Sequence, residues 1–167
     1  MTSDVSMSGP LLIGYDGSEL SRRAIQAAGA VLANGTAVVL HVYEPIAPIV
    51  PMPAGATLVA NGPVLEEERE ELDVAARRRA LDIARQGASE AENLGLAATA
   101  ETVVGHGTSG VAEAIVETAA RKGAAMIVLG SHGRSAIGAA LLGSVSTAVL
   151  HRSNIPVLVV PSRPTAG

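Results

Sequence analysis

Five short apolar runs, Leu11 to Tyr15, Thr36 to Tyr43, Ala97 to Val104, Ala124 to Leu129 and Ile155 to Val160, alternate with stretches whose apolar residues recur at helical spacing. Strands that are apolar on nearly every residue suit a sheet covered on both faces. Strands separated by helices make parallel pairs joined by right-handed crossovers. The expected fold is α/β: a single-domain open five-stranded parallel sheet, order 3-2-1-4-5, with helices on both faces.

A chain of 167 residues is of ordinary size for one core. The apolar share is 48%, yet there is no Phe or Trp, so the core must be built from Ala, Val, Leu and Ile. A net charge of −4 and the lack of a Lys/Arg stripe with interleaved aromatics argue against nucleic acid as a partner. With no cysteine there is no disulfide framework or thiolate metal site. The N-terminal MTSDVSMSGP has neither a basic start nor an apolar core, and no apolar run approaches the roughly 20 residues that span a bilayer. A cytoplasmic protein with no membrane partner is expected. Residues 1–10 read as a disordered leader, 11–161 as the domain and 162–167 as a tail.

Ser18 is placed to cap a helix whose face carries Leu20, Ala24, Ala28, Val31 and Leu32, and Asn34-Gly35 stops it. Between Pro45 and Pro63 five prolines exclude a regular helix or an interior strand. A loop of that length and apolarity reads as a flap or contact surface. Leu65 to Leu94 is the longest helix candidate, acidic near its start at Glu66, Glu67, Glu68, Glu70 and Glu71 and basic further on at Arg77, Arg78 and Arg79. That charge order suits the helix dipole, and Gly87 is a candidate bend. A helix with Val111, Ala112, Ile115, Val116 and Ala119 on one face ends at Gly123, and a last one runs from Ser144 to Arg152.

The chemistry concentrates between Met126 and Val149, where a strand, a glycine-rich loop and a helix N-terminus follow one another. Glycine lets backbone approach an anion closely, and the first helical N–H groups point at it. Competing motifs fail on context. Gly105-His106-Gly107-Thr108-Ser109-Gly110 is a literal G-x-G-x-x-G, but it follows the third strand, and no acid ends the next one to hold a ribose. It reads instead as a tight βα turn beside the pocket. Gly133 and Gly138 have Walker spacing, but Ala139 stands where the lysine should be. There is no G-x-S-x-G elbow, and His41, His106, His132 and His151 lack metal-ligand spacing. Ligands of open α/β sheets sit beyond the C-terminal strand ends where strand order reverses. In the expected order Asp16, His41-Val42 and Gly130 rim one such crevice.

The surviving pattern, Gly130-x2-Gly133-x9-Gly143-Ser144, matches at every position the G-x2-G-x9-G-[S/T] signature of nucleotide-binding universal stress proteins. The chain resembles that family from LLIGYDGSELSRRAI through LHVYEP and AAMIVLGSHG to LLGSVSTAVLHRSNIPVLVV. The resemblance implies an adenine-nucleotide alpha hydrolase-like fold that binds ATP, with any Mg²⁺ held through the phosphates. It implies that the amides of Gly130, Gly133, Gly143 and Ser144 and the Ser144 hydroxyl cradle phosphate. Asp16 would hold the ribose or assist the ion, Val42 would meet adenine through its main chain, and Gly105 would lie near the ribose. Ser131 and His132 are candidates either to touch a phosphate or to shape the turn. Ala125 departs from the family, which commonly has Asp there. The resemblance further implies a homodimer through the last strand, 156–160. No general base with an orienting partner is evident, so no catalytic residue is assigned and a sensor or regulator is expected. A cyclic-AMP-binding or nucleotide-free scaffold, and a slow ATPase, stay open.

Overall fold

A computed structural model describes residues 9–32, 34–45, 49–51, 57–59, 66–132 and 142–161, with side chains throughout except at 49–51, 57–59 and 66–69. Gly133, most of the Pro-rich segment, the first eight residues and residues 162–167 lie outside these. The order is β1 (Leu11–Gly14), α1 (Glu19–Val31), β2 (Thr36–Tyr43), β3 (Ile49–Pro51), β4 (Thr57–Val59), α2 (Glu66–Asn93), β5 (Ala97–Val104), α3 (Gly107–Arg121), β6 (Met126–Gly130), α4 (Ser144–Arg152) and β7 (Val157–Val160).

The main sheet has five strands in the order β5-β2-β1-β6-β7, every pair parallel. Counting only these strands, this is the expected 3-2-1-4-5. Two independent cores follow from the period-two alternation of strand side chains. Leu11, Ile13, Val39 and Val128 pack with α1 and α2, whereas Leu12, Val38, Leu40 and Ile127 pack with α3 and α4. Helices therefore cover both faces, and small residues such as Ala24, Ala28, Ala88, Ala91, Ala112 and Ala119 let them lie close to the sheet.

Local chemistry sets the helix ends. The Ser18 hydroxyl accepts from the Ser21 amide at 3.2 Å, capping α1. The buried stripe of α1 is Ser21, Ala24, Ile25 and Ala28, continued by a partly buried Leu32, while Val31 is half exposed. At about 100° per residue Val31 falls about 70° off that stripe, so the expected placement of Val31 on the inner face does not hold. Asn34, at φ 60°, makes the reversal after α1, and Gly95, at φ 84°, the one after α2.

Helix α2 runs without a break through Gly87, the candidate bend. A Cβ there would come 2.7 Å from the Tyr15 ring and 2.8 Å from Val39 Cγ1, so glycine lets the helix approach the sheet. The Pro-rich segment contains a two-stranded antiparallel ribbon, with Val50 opposite Leu58 and Pro51 opposite Thr57. Both strands are edges, which is where proline is tolerated.

Candidate functional site

Strand order reverses between β1 and β6, and a crevice of about 120 Å³ opens there beyond the strand ends. Gly14, Tyr15, Asp16, His41, Val42, Gly130 and His132 line it, with Leu40, Ile115 and Leu129 forming its apolar floor. Four candidates separated in sequence, Asp16, Val42, Gly130 and His132, thus meet in one place. Its volume is below the roughly 300–1,000 Å³ of ordinary ligand pockets. Residues 133–141, whose flanks sit on this rim, lie outside the described residues.

Asp16 follows β1, and its Oδ1 accepts from the Ser18 amide at 2.9 Å. The carboxylate thereby shapes the turn that delivers Ser18 to its capping position. His41 Nδ1 donates to the Tyr15 carbonyl at 2.8 Å, which fixes the imidazole tautomer with a proton on Nδ1 and clamps the end of β1 to β2. The Tyr15 ring turns to the other face, where its hydroxyl donates to Glu90 Oε1 at 3.0 Å. Burial, and next the Glu90 carboxylate, raise the Tyr15 phenol above its ordinary pKa.

The glycines of the phosphate signature have packing roles of their own. A Cβ on Gly130 would meet Leu20 Cβ at 2.9 Å, so its absence lets the first turn of α1 rest on the end of β6. A Cβ on Gly143 would lie 2.8 Å from the Ser131 carbonyl. The Gly143 amide donates to that same carbonyl at 2.6 Å. The Ser131 amide bonds the Val160 carbonyl at 2.8 Å, and the Ser146 hydroxyl donates to the Gly130 carbonyl at 2.9 Å. These bonds pin the start of α4 to the end of β6. The Ser131 hydroxyl lies 3.1 Å from His132 Nδ1.

The N-cap residue of α4 is Gly143, which has no side chain to cap the helix. The Ser144, Val145 and Ser146 amides occupy its first turn, where helical geometry provides no intrahelical partner. Ser144 itself is exposed. The Gly143 N–H is engaged, so the first-turn amides of α4 belong to these three residues. Val145 and Ser146 were not singled out from the sequence, although the rule that the first helical amides go unpaired pointed to them. His41, placed with Val42 at the crevice by its position near the end of the second strand, gains from the structure a role for its ring that the sequence does not assign.

Gly105 is buried and does not line the crevice. Its amide donates to the Tyr43 carbonyl at 3.0 Å, and a Cβ there would meet Val42 Cγ1 at 2.6 Å, so it backs Val42 from behind. The G-x-G-x-x-G is the β5–α3 turn, as expected, with Gly107 at φ 60°. Ala125 lies at the opposite end of the sheet, its amide bonding the Pro10 carbonyl at 3.0 Å. Among the described residues no cluster of three or more metal-ligating side chains occurs, and no helix is long and apolar enough to cross a membrane.

The profile of the Universal stress protein family matches residues 7–161. The chain belongs to the universal stress protein family. It is 31% identical over 156 residues to the universal stress protein YxiE of Bacillus subtilis, covering 92% of this chain and 99% of that protein. It is 32% identical over 162 residues to the universal stress protein Rv1996 of Mycobacterium tuberculosis, covering 92% of this chain but 48% of that one. The chain thus spans about half the length of the mycobacterial relatives it matches. Among solved structures it resembles the hypothetical protein MJ0577, with a TM-score of 0.72 and 28% identity over 95% of this chain and 99% of that one. It also resembles a universal stress protein crystallised in complex with cAMP, with a TM-score of 0.62 and 26% identity over 92% and 96% of the two chains.

Proposed function

We propose that this universal stress protein binds an adenine nucleotide, ATP foremost, in the crevice between β1 and β6, and acts as a sensor or regulator in a stress response. The observation that carries this reading is the convergence of Asp16, Val42 and Gly130 on one crevice, with the glycine-capped start of α4 pinned to the end of β6 by the Ser131–Gly143 and Ser146–Gly130 bonds. Asp16 is the acid that would receive ribose hydroxyls, and the Val42 main chain would read adenine. The first-turn amides of α4 and the Ser144 hydroxyl would face phosphate, with Gly133 in the same loop. A divalent ion would enter with the nucleotide, bound through its phosphates.

The cAMP-bound neighbour at 26% identity supports adenine-nucleotide recognition and makes cyclic AMP the competing ligand. Both molecules offer adenine, ribose and phosphate. They differ in the charge delivered to the α4 amides. In the same reading the protein is a cytoplasmic homodimer through β7, whose outer edge carries the half-buried run Val157 to Val160. An apolar edge strand left unpaired is an aggregation hazard, and pairing with a second copy removes it.

Calorimetric titration with ATP, ADP, AMP and cyclic AMP, with and without Mg²⁺, tests the reading on wild type, Asp16→Asn and Ser144→Ala. Asn retains an oxygen for the Ser18 amide, so Asp16→Asn isolates the charge. ATP binding that weakens several-fold in both variants is the expected result. Wild-type protein that binds none of the four, or variants that bind ATP as tightly as wild type, would overturn it.

A further inference from the structure

Helix α2 has 28 residues, about 42 Å of helix, whereas the β2 and β5 strands it covers have eight each, about 26 Å. Among its described side chains, those from Glu70 on, the first buried residue is Ala80, followed by Ala84, Gly87, Ala88 and Ala91. No residue from Glu70 to Arg79 is buried, and Val74 is 55% exposed. The N-terminal half of α2 therefore extends past the sheet.

One face of this overhang has an ordered chemistry. Positions 67, 70, 71, 74, 77, 78 and 81 share a ridge at helical spacing and read Glu, Glu, Glu, Val, Arg, Arg, Leu. The charges lie symmetrically about Val74, with Glu70 and Glu71 on one side and Arg77 and Arg78 on the other. Among the described residues none of these four forms an ion pair. Surface grooves flank Val74, one bordered by Glu70, Glu71, Ala75 and Arg78, the other lying between Glu70, Asp73 and Arg77 and the strand ends at Tyr43, Pro45 and Val104.

We propose that this ridge is a self-complementary docking surface whose partner is the same ridge on a second copy of the chain. A two-fold axis through Val74 lays the helices antiparallel, so that Glu70 faces Arg78 and Glu71 faces Arg77 across the interface, twice over. That is the requirement of an isologous contact, in which one patch must complement itself. The parallel arrangement opposes acid to acid and base to base, so charge selects the antiparallel one. The ridge sits at the β5 side of the sheet and β7 forms the other edge. The two surfaces are thus separate.

The absence of cysteine makes the test clean. In Val74→Cys the two thiols meet at the axis, and mild oxidation yields a covalent dimer. Leu150→Cys, on exposed α4, measures random collision and yields far less. Sedimentation at low salt shows an assembly one doubling larger than at high salt. Glu70→Arg/Glu71→Arg and Arg77→Glu/Arg78→Glu each lose that doubling, an equimolar mixture of the two regains it, and the fourfold swap regains it alone. These exposed substitutions leave the melting temperature within a few degrees of wild type. Val74→Cys cross-linking no better than Leu150→Cys, or charge reversal without effect on assembly, would refute the proposal. So would a thiol in Val74→Cys that is shielded from reagents in the monomer.

Discussion

The amide of Gly143 donates to the carbonyl of Ser131 at 2.6 Å, which places the start of α4 beside the end of β6 and ties together the two ends of the intervening segment. Gly130 lies more than a helical turn along the chain from the adjacent pair Gly143-Ser144, and this bond brings the two neighbourhoods together. A side chain at 143 would press on the same carbonyl, so the hydrogen bond and the glycine are one constraint.

Gly143→Ala is expected to destabilise the fold by about 1–3 kcal/mol, the usual cost of forcing an atom into an occupied space. Urea denaturation reads this as a lower midpoint at unchanged slope. Under the proposed function nucleotide affinity in the variant falls with it, so Gly143 substitutions cannot separate phosphate contact from loop closure. An unchanged midpoint would show that the neck can give way without cost.

Gly87→Ala sets two effects against each other. Alanine favours helix over glycine by about 1 kcal/mol. The added Cβ would lie 2.7 Å from the Tyr15 ring, a clash of about 1–3 kcal/mol. The clash is expected to win, giving a net loss of up to about 2 kcal/mol in chemical denaturation. A more stable variant would mean that α2 can shift off the sheet freely.

Ser18→Ala removes the acceptor for the Ser21 amide and is expected to cost about 1 kcal/mol. Ser18→Asp or Ser18→Asn restores most of it. Thermal melts of the three variants decide the matter, and equal melting temperatures for Ala and Asn would assign the cap no role.

Tyr15 supplies the pH dependence. Its phenol pKa is raised in the folded state, first by burial and then by the Glu90 hydrogen bond and charge. The neutral phenol is the stabilised form. Its contribution is whole below the unfolded value near 10 and is lost as pH rises through the higher folded value. Spectrophotometric titration should show a late phenol that Tyr15→Phe removes, and stability of the variant should fall less steeply above pH 10. A steeper fall in Tyr15→Phe would contradict the assignment.

Much of the fold was legible because its signals are local and periodic. Runs such as Thr36 to Tyr43 announce strands buried on both faces, and Ser18 and Gly95 punctuate helices through their own backbone chemistry. What escaped notice depends on tertiary distance. Gly87 reads as a bend until Tyr15 is found against it, and Val31 reads as inward until Ile25 and Leu32 define the stripe. At the crevice, Asp16, Val42 and Gly130 could be grouped because strand order alone places them. The clamp from His41 to the Tyr15 carbonyl left no trace in spacing, because it joins neighbouring strands 26 positions apart.

Because successive strand residues are sorted to opposite faces, Leu12 to one core and Leu11 with Ile13 to the other, the sheet acts as a bulkhead. A change of volume beneath α1 and α2 need not be answered by any change beneath α3 and α4. The two cores meet at the crevice, which Tyr15 from one and Leu40, Ile115 and Leu129 from the other line together, so a volume change in either core is felt there.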